Sequence, residues 1–318
     1  MKKILLSVGS LFFVGALFAG ATGAYLNQTQ SSTGNTFATG VIDLKVDNES
    51  YVTDNSGELV FSPTTSWELS DLAGKLFFNF LDLKPGDLGE DTISLHVNNN
   101  DAWVCMKVSL TATPENGIVE PEAAVDSSTG ANQGELQKVL KFAFWADDGD
   151  NVYEKGEKIF KEGLVKNIFK GQWWTIADSR DSIWQPHSGG YHFDSQGWHD
   201  EDDDYYNKNH NNDKSNPLRG NSTAYIGKAW CFGSFEPDPV NQDGVGKTGT
   251  GVGDSTNGPL VRGTGFTCDG EPVGNKYQSD GIRVDVAFQA VQSRDNKSFT
   301  CTKGYTRDDH DDDDDYDR

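Results

Sequence analysis

Apolar and polar residues alternate with a period of two through much of this chain, the pattern of strands that bury one face. The clearest case is 92–97, where Ile93, Leu95 and Val97 alternate with Thr92, Ser94 and His96 and predict a half-buried strand. Over 103–112, Val104, Met106, Val108 and Leu110 oppose Trp103, Cys105, Lys107 and Ser109. The same reading predicts strands over 37–46, 75–83, 139–145, 224–235 and 282–292, with a turn at Pro85-Gly86. Helical periodicity is thin, and the best candidates are 134–140 and 158–168. Strands in this number, joined by long connections, predict an all-β chain, a jelly-roll-type two-sheet sandwich with long loop insertions and few short helices.

The insertions fall at about 147–223 and 233–277. The first carries Trp173, Trp174, Trp184 and Trp198 among Gly, His and Asp, and the second is Gly-rich around 244–253. Its Gly246-Lys247-Thr248 lacks the leading Gly of a phosphate loop, since Asn241 stands there, and no strand-to-helix context surrounds it. It reads as a flexible loop. The abundance of Gly (35), Phe (18), Tyr (10) and Trp (8) against 2 Met fits aromatic strands joined by turns. A formal net charge of −22 argues against nucleic acid and anionic lipid as partners. It favours divalent cations or a basic partner, with plain solubility as the simple alternative. The acidic runs Asp200-Glu201-Asp202-Asp203-Asp204 and 308–315 are dense like charge, and 305–318 is expected to be a disordered acidic tail.

Lys2 and Lys3, the apolar stretch 4–18 and the small residues after it predict an export signal cleaved after Ala24. The stretch is short for a membrane span, so contact with a membrane is expected only through the signal before cleavage. No sortase-type motif or second apolar span marks a C-terminal anchor. In an oxidising compartment Cys105, Cys231, Cys268 and Cys301 predict two disulfides. Of three connectivities, Cys231–Cys268 with Cys105–Cys301 is favoured because the former pair brackets the Gly-rich insertion.

Residues 24–27 (Ala-Tyr-Leu-Asn) followed by Asn35-Thr36-Phe37-Ala38-Thr39-Gly40-Val41-Ile42-Asp43-Leu44 resemble the mature start of the TasA/camelysin family of secreted matrix proteins. Phe80-Leu81-Asp82-Leu83-Lys84-Pro85-Gly86-Asp87 is similar to that family's L-K-P-G-D turn, and 275–290 to its closing strand. The three blocks stand in the family's order and span about a third of the chain. The resemblance implies a jelly-roll subunit of extracellular biofilm-matrix or pilus-like filaments. In such filaments the segment freed by signal cleavage inserts as a strand into the next subunit. Here the donor is 25–36, with Tyr25 and Leu26 as its apolar anchors and Asn27 beginning its polar part, and the jelly-roll domain is 37–304. The partner is another copy of the chain, head to tail, with minor matrix or anchor subunits as further candidates.

One loop carries a metal-ligand pattern. Asp147, Asp148, Asp150, Glu154 and Glu157 lie within eleven residues, the spaced carboxylates that calcium requires. The stretch resembles the W-x-D…D-G-x-x-D-x-G-E calcium loops of secreted β-sandwich repeats, with Asn151 in the Gly position. Calcium is the cofactor expected, and a solvated acidic turn is the alternative. Camelysin relatives are often described as metallo-endopeptidases, but none of His96, His187, His192, His199, His210 and His310 forms an H-E-x-x-H motif. No G-x-S-x-G is present. The chain therefore reads as a non-enzyme, with a calcium-dependent binding module, its tryptophans facing glycans or a cell surface, as the competing function.

Overall fold

The computed structural model describes residues 27–31, 42–79, 83–128, 130–184, 192–194, 197–199 and 216–302. Ala24, Tyr25, Leu26, the signal and the acidic runs lie outside them. The larger sheet contains β2 (Asp43–Thr53), β3 (Leu59–Phe61), β4 (Trp67–Ser70), β5 (Leu88–Asn98), β7 (Leu140–Asp147), β8 (Ile159–Leu164) and β12 (Ser222–Phe232). Its order is β3-β2-β5-β12-β7-β8, with β4 also paired to β2. The smaller sheet runs β1 (Asn27–Ser31), β15 (Arg283–Gln292), β6 (Ala102–Ala112) and β9 (Lys170–Ala177). Every pairing in both sheets is antiparallel. Two short hairpins complete the strands: β10 (His192–Asp194) with β11 (Gly197–His199), and β13 (Ser234–Pro237) with β14 (Phe266–Asp269). Among the described residues the helices are single turns, α1 (Val165–Ile168) and α2 (Pro259–Arg262), so the predicted all-β sandwich is what the chain forms.

Alternation explains the main core. Leu44 and Val46 of β2, Ile93, Leu95 and Val97 of β5, Phe142 and Phe144 of β7 and Ile226 of β12 point inward. There they meet Val104, Met106 and Val108 of β6 and Phe288 of β15. Burying such side chains from water supplies about 2 kcal/mol each. Within this apolar layer Lys228 pairs with Asp91 at 2.6 Å, both groups almost fully enclosed.

The larger sheet is also covered on its other side. Ala143, Trp145, Ala229, Cys231, Phe235 and Phe266 form a second small core there. It is roofed by the β13–β14 hairpin and stacked through Phe235–Phe266 at 4.8 Å and Tyr153–Phe266 at 4.9 Å. Trp145 lies flat over Gly227, where a Cβ would meet the indole at 2.0 Å. β5 is therefore buried on both faces, with Thr92 and Ser94 only 2% exposed, rather than half-buried as its alternation predicts. The bond Cys231–Cys268 ties this roof to β12, and Cys105–Cys301 ties the C-terminal segment to β6.

Other expectations shift. Among the described residues, 75–79 form no strand. The carbonyls of Leu76 and Phe77 accept hydrogen bonds from Trp67 Nε1 and Lys228 Nζ instead of joining a ladder. Phe77 instead plugs the core against Trp67 and Phe288. The helical candidate 158–168 is β8 followed by the one turn of α1, and 134–140 holds only the 3-10 turn Leu136–Lys138. The strand predicted over 224–235 breaks at Gly233 (φ 155°), where a side chain would strike the Asp269 carbonyl. β8 and β9 lie inside the stretch read as the first insertion, and each extends a sheet. Of its tryptophans, Trp174 is core, Trp184 donates to the Tyr225 carbonyl, and Trp173 lies under Lys107. The side chain of Trp198 lies outside the described residues.

Candidate metal centre on the outer face of the large sheet

The outer face of β5 carries Glu90 and Thr92, side by side with Tyr51 and Glu49 of β2 and with Ala229 and Gly227 of β12. Next in register on β7 stand Ala143 and Trp145, and Asp147 ends that strand. The chain then turns through 148–157 and folds back over this face. Gly149 (φ 111°), Asn151 (φ 65°) and Gly156 (φ 102°) make that path possible. Asn151 takes the left-handed conformation there, which Asn tolerates better than most side chains.

The result is a nest of buried carboxylates. Asp147, Asp148 and Glu157 each offer an oxygen within 4.8 Å of the others, and so do Asp148, Asp150 and Glu154. All five carboxylates expected from sequence are thus gathered, with Asp148 shared between the two groups. Asp147 is held by Thr92 Oγ1 at 3.0 Å and by Trp145 Nε1 and the Gly149 amide at 3.2 Å. The amides of Asp148 and Glu154 donate to Glu157, and the Val152 amide donates to Asp150. Several polar atoms have no partner: Asp148 Oδ2, Glu154 Oε2, both side-chain atoms of Asn151 and both oxygens of Glu90. Glu90 itself is fully buried.

Burial sets the electrostatics. It pushes Asp147 up to about 7, and with help from neighbouring carboxylates it pushes Asp148 to about 8 and Asp150 to about 10. Glu90 and Glu157 are driven well above the carboxylate range, first by burial and then by Asp147. Two basic residues from the 238–265 segment answer part of this charge. Arg262 bonds Asp150 at 2.5 Å, Asp243 at 3.1 Å and Glu154. Lys247, from the Gly-Lys-Thr triplet, reaches Glu49 at 2.7 Å, and Glu49 also accepts from Tyr51. Chemically the nest offers hard oxygen donors only, which suits a calcium- or magnesium-type ion rather than zinc.

Sequence reasoning did not reach Glu90, Glu49, Asp243 or Arg262. Glu90 sits 57 residues before Asp147 in the chain, and only the β5-β12-β7 order brings them together. The donor residue Asn27 begins β1, which pairs from Asn27↔Val291 to Ser31↔Ala287 on the rim of the smaller sheet. The four cysteines form the pairing suggested by the bracketed Gly-rich stretch. His96 is bonded to Asp47 at 2.7 Å and to Thr223, and His192 and His199 are register partners across β10–β11. A second acidic group, Glu115, Glu135 and Asp280, is only partly buried. Among the described residues no helix is long and apolar enough to cross a membrane. No protein-family model matches the chain, and no curated protein matches it in sequence.

Proposed function

We propose that this chain is an exported, non-enzymatic structural subunit that joins copies of itself head to tail by exchanging its N-terminal strand, as the TasA/camelysin resemblance implies. The observation that carries the reading is β1. It is a five-residue strand on the outer rim of β15, and eleven residues separate it from β2. Its sequence, Asn-Gln-Thr-Gln-Ser, brings no large apolar side chain. Backbone hydrogen bonds must therefore carry the contact, and such a ladder is the same whether the strand comes from its own chain or another. An extended eleven-residue connection reaches about 36 Å, enough to place β1 on a neighbouring molecule. A donation of this kind does not close on itself and propagates as a fibre. The two disulfides fit an oxidising compartment, in keeping with export after cleavage at Ala24.

The test deletes 25–35 and images the purified protein by negative-stain electron microscopy. The full mature chain should form filaments, and the truncated chain should remain a folded monomer. A complementary test replaces the register partners Gln28 and Ala290 by Cys. In filaments, oxidation should then link successive copies covalently. Filaments of wild-type length from the truncated chain would refute strand exchange.

A further inference from the structure

We propose that the acidic nest is a binding site for one divalent, oxygen-ligated cation of the calcium type. Asp148, Asp147 and Glu157 are its ligands, and Arg262 serves as a fixed counter-ion for the outer carboxylates. This goes beyond strand exchange and does not depend on it.

The first argument is charge. Glu49, Glu90, Asp147, Asp148, Asp150, Glu154 and Glu157 are buried on this side of the sheet, with the exposed Asp243 at its edge, and among the described residues Lys247 and Arg262 are the basic groups that pair with them. Eight carboxylates facing two cations leave a formal excess of six negative charges, seven of the eight carboxylates being buried. Charge enclosed in this way must be paired, neutralised by a proton or bound to metal. The second argument is where the two basic residues go. Lys247 takes Glu49, while Arg262 takes Asp150, Glu154 and Asp243. Asp147, Asp148, Glu157 and Glu90 are left with no basic partner among the described residues. The third is orphaned donor capacity. Both oxygens of Glu90 and one of Asp148 are sealed from solvent with no hydrogen bond, and the unpartnered Asn151 amide lies in the same loop. Buried polar atoms normally find partners, and a bound ion supplies one for the Asp148 oxygen.

The donor set selects the ion. It contains carboxylates and an amide, and no His or Cys. Several carboxylates converge from two elements, the coordination-rich arrangement that calcium accepts and that magnesium, with its strict octahedron and retained waters, does not. The cation would join the end of β7 to both ends of the 148–157 loop at one point.

Trp145 provides a probe, because its indole nitrogen is bonded to Asp147. The mature full-length chain, stripped with chelator, is titrated with terbium under excitation of tryptophan. Sensitised emission should appear, be displaced by calcium, and be lost in Trp145→Phe, while that variant keeps its calcium-induced rise in melting temperature. Glu157→Gln and Asp148→Asn should each weaken calcium binding about tenfold or more. Asp148→Asn should also melt higher than wild type in chelator, since it relieves repulsion, and should lose its response to calcium. That crossing of curves separates a ligand from a residue that is merely structural. Emission that persists in both Trp145→Phe and Asp148→Asn would place terbium on the acidic runs, and a wild-type melting temperature indifferent to calcium would overturn the proposal.

Discussion

The ion pair inside the sandwich allows the sharpest energetic prediction. Lys228 Nζ lies 2.6 Å from Asp91, donates to the Phe77 carbonyl at 2.9 Å and sits 4.7 Å above the Phe78 ring. Both side chains are at most 2% exposed. Burial lowers the Lys228 ammonium and pushes Asp91 up to about 6, against the pull of Lys228, so each charge depends on the other. Lys228→Met leaves an enclosed carboxylate, and Asp91→Leu leaves an enclosed ammonium. Breaking one side of such a pair costs about 3–5 kcal/mol, whereas replacing both with apolar groups is close to neutral. In a chain of this size the single variants should melt about 10 °C lower. The double variant Lys228→Met/Asp91→Leu should return to within about 1 kcal/mol of wild type, giving a coupling energy of about 3 kcal/mol or more. Urea unfolding followed by tryptophan fluorescence measures all four corners of the cycle. Single variants that cost under about 1 kcal/mol, or a double variant as unstable as the sum of the singles, would refute the reasoning.

Gly227→Ala should destabilise by about 2–3 kcal/mol, because the new methyl enters an indole held by Asp147 and packed on Phe266; near-wild-type urea stability would contradict this. Replacing Cys231 and Cys268 by Ala frees a span of 37 residues, and chain entropy assigns the bond about 3–4 kcal/mol. Hydrogen exchange should then quicken in β13 and β14 and stay slow in β5 and β12; uniform quickening would mean that the roof is not a separate unit. Burial, helped by Glu115, raises Asp280 to about 7. The folded chain thus holds a proton that the unfolded chain releases near 4, so stability from this group is complete at low pH and falls as pH rises towards 7. In chelator, Asp280→Asn should match wild type at pH 4.5 and exceed it at pH 8 by about 1 kcal/mol, the effect being trimmed by partial exposure. Equal melting curves at both pH values would remove that expectation.

Strand alternation made the sandwich legible because its core faces are continuous: Ile93-Leu95-Val97 and Val104-Met106-Val108 announce themselves within one strand. The acidic loop was legible for the same reason, since five of its carboxylates lie within eleven residues. What escaped was whatever required two distant segments. Thr92, Ser94 and Glu90 look like a solvent face until the 233–274 segment covers them. Arg262 gives no local sign that it answers Asp150. Residues 75–79 alternate like a strand, but the carbonyls of Leu76 and Phe77 are claimed by side chains of β4 and β12. The Trp173-Trp174 pair shows the same limit: strand β9 sends one ring to the core and lays the other under Lys107.

The covalent link between Cys105 and Cys301 has a mechanical corollary. It lies beyond the end of β15, joining the chain that leaves that strand to the middle of β6. Tension applied downstream of residue 301 enters β6 through sulfur and cannot peel β15 away rung by rung. Tension along β1 acts in shear, loading its five rungs together rather than in succession. A thread built from such units would resist stretching by simultaneous rupture, the stronger of the two ways in which a β-ladder can fail.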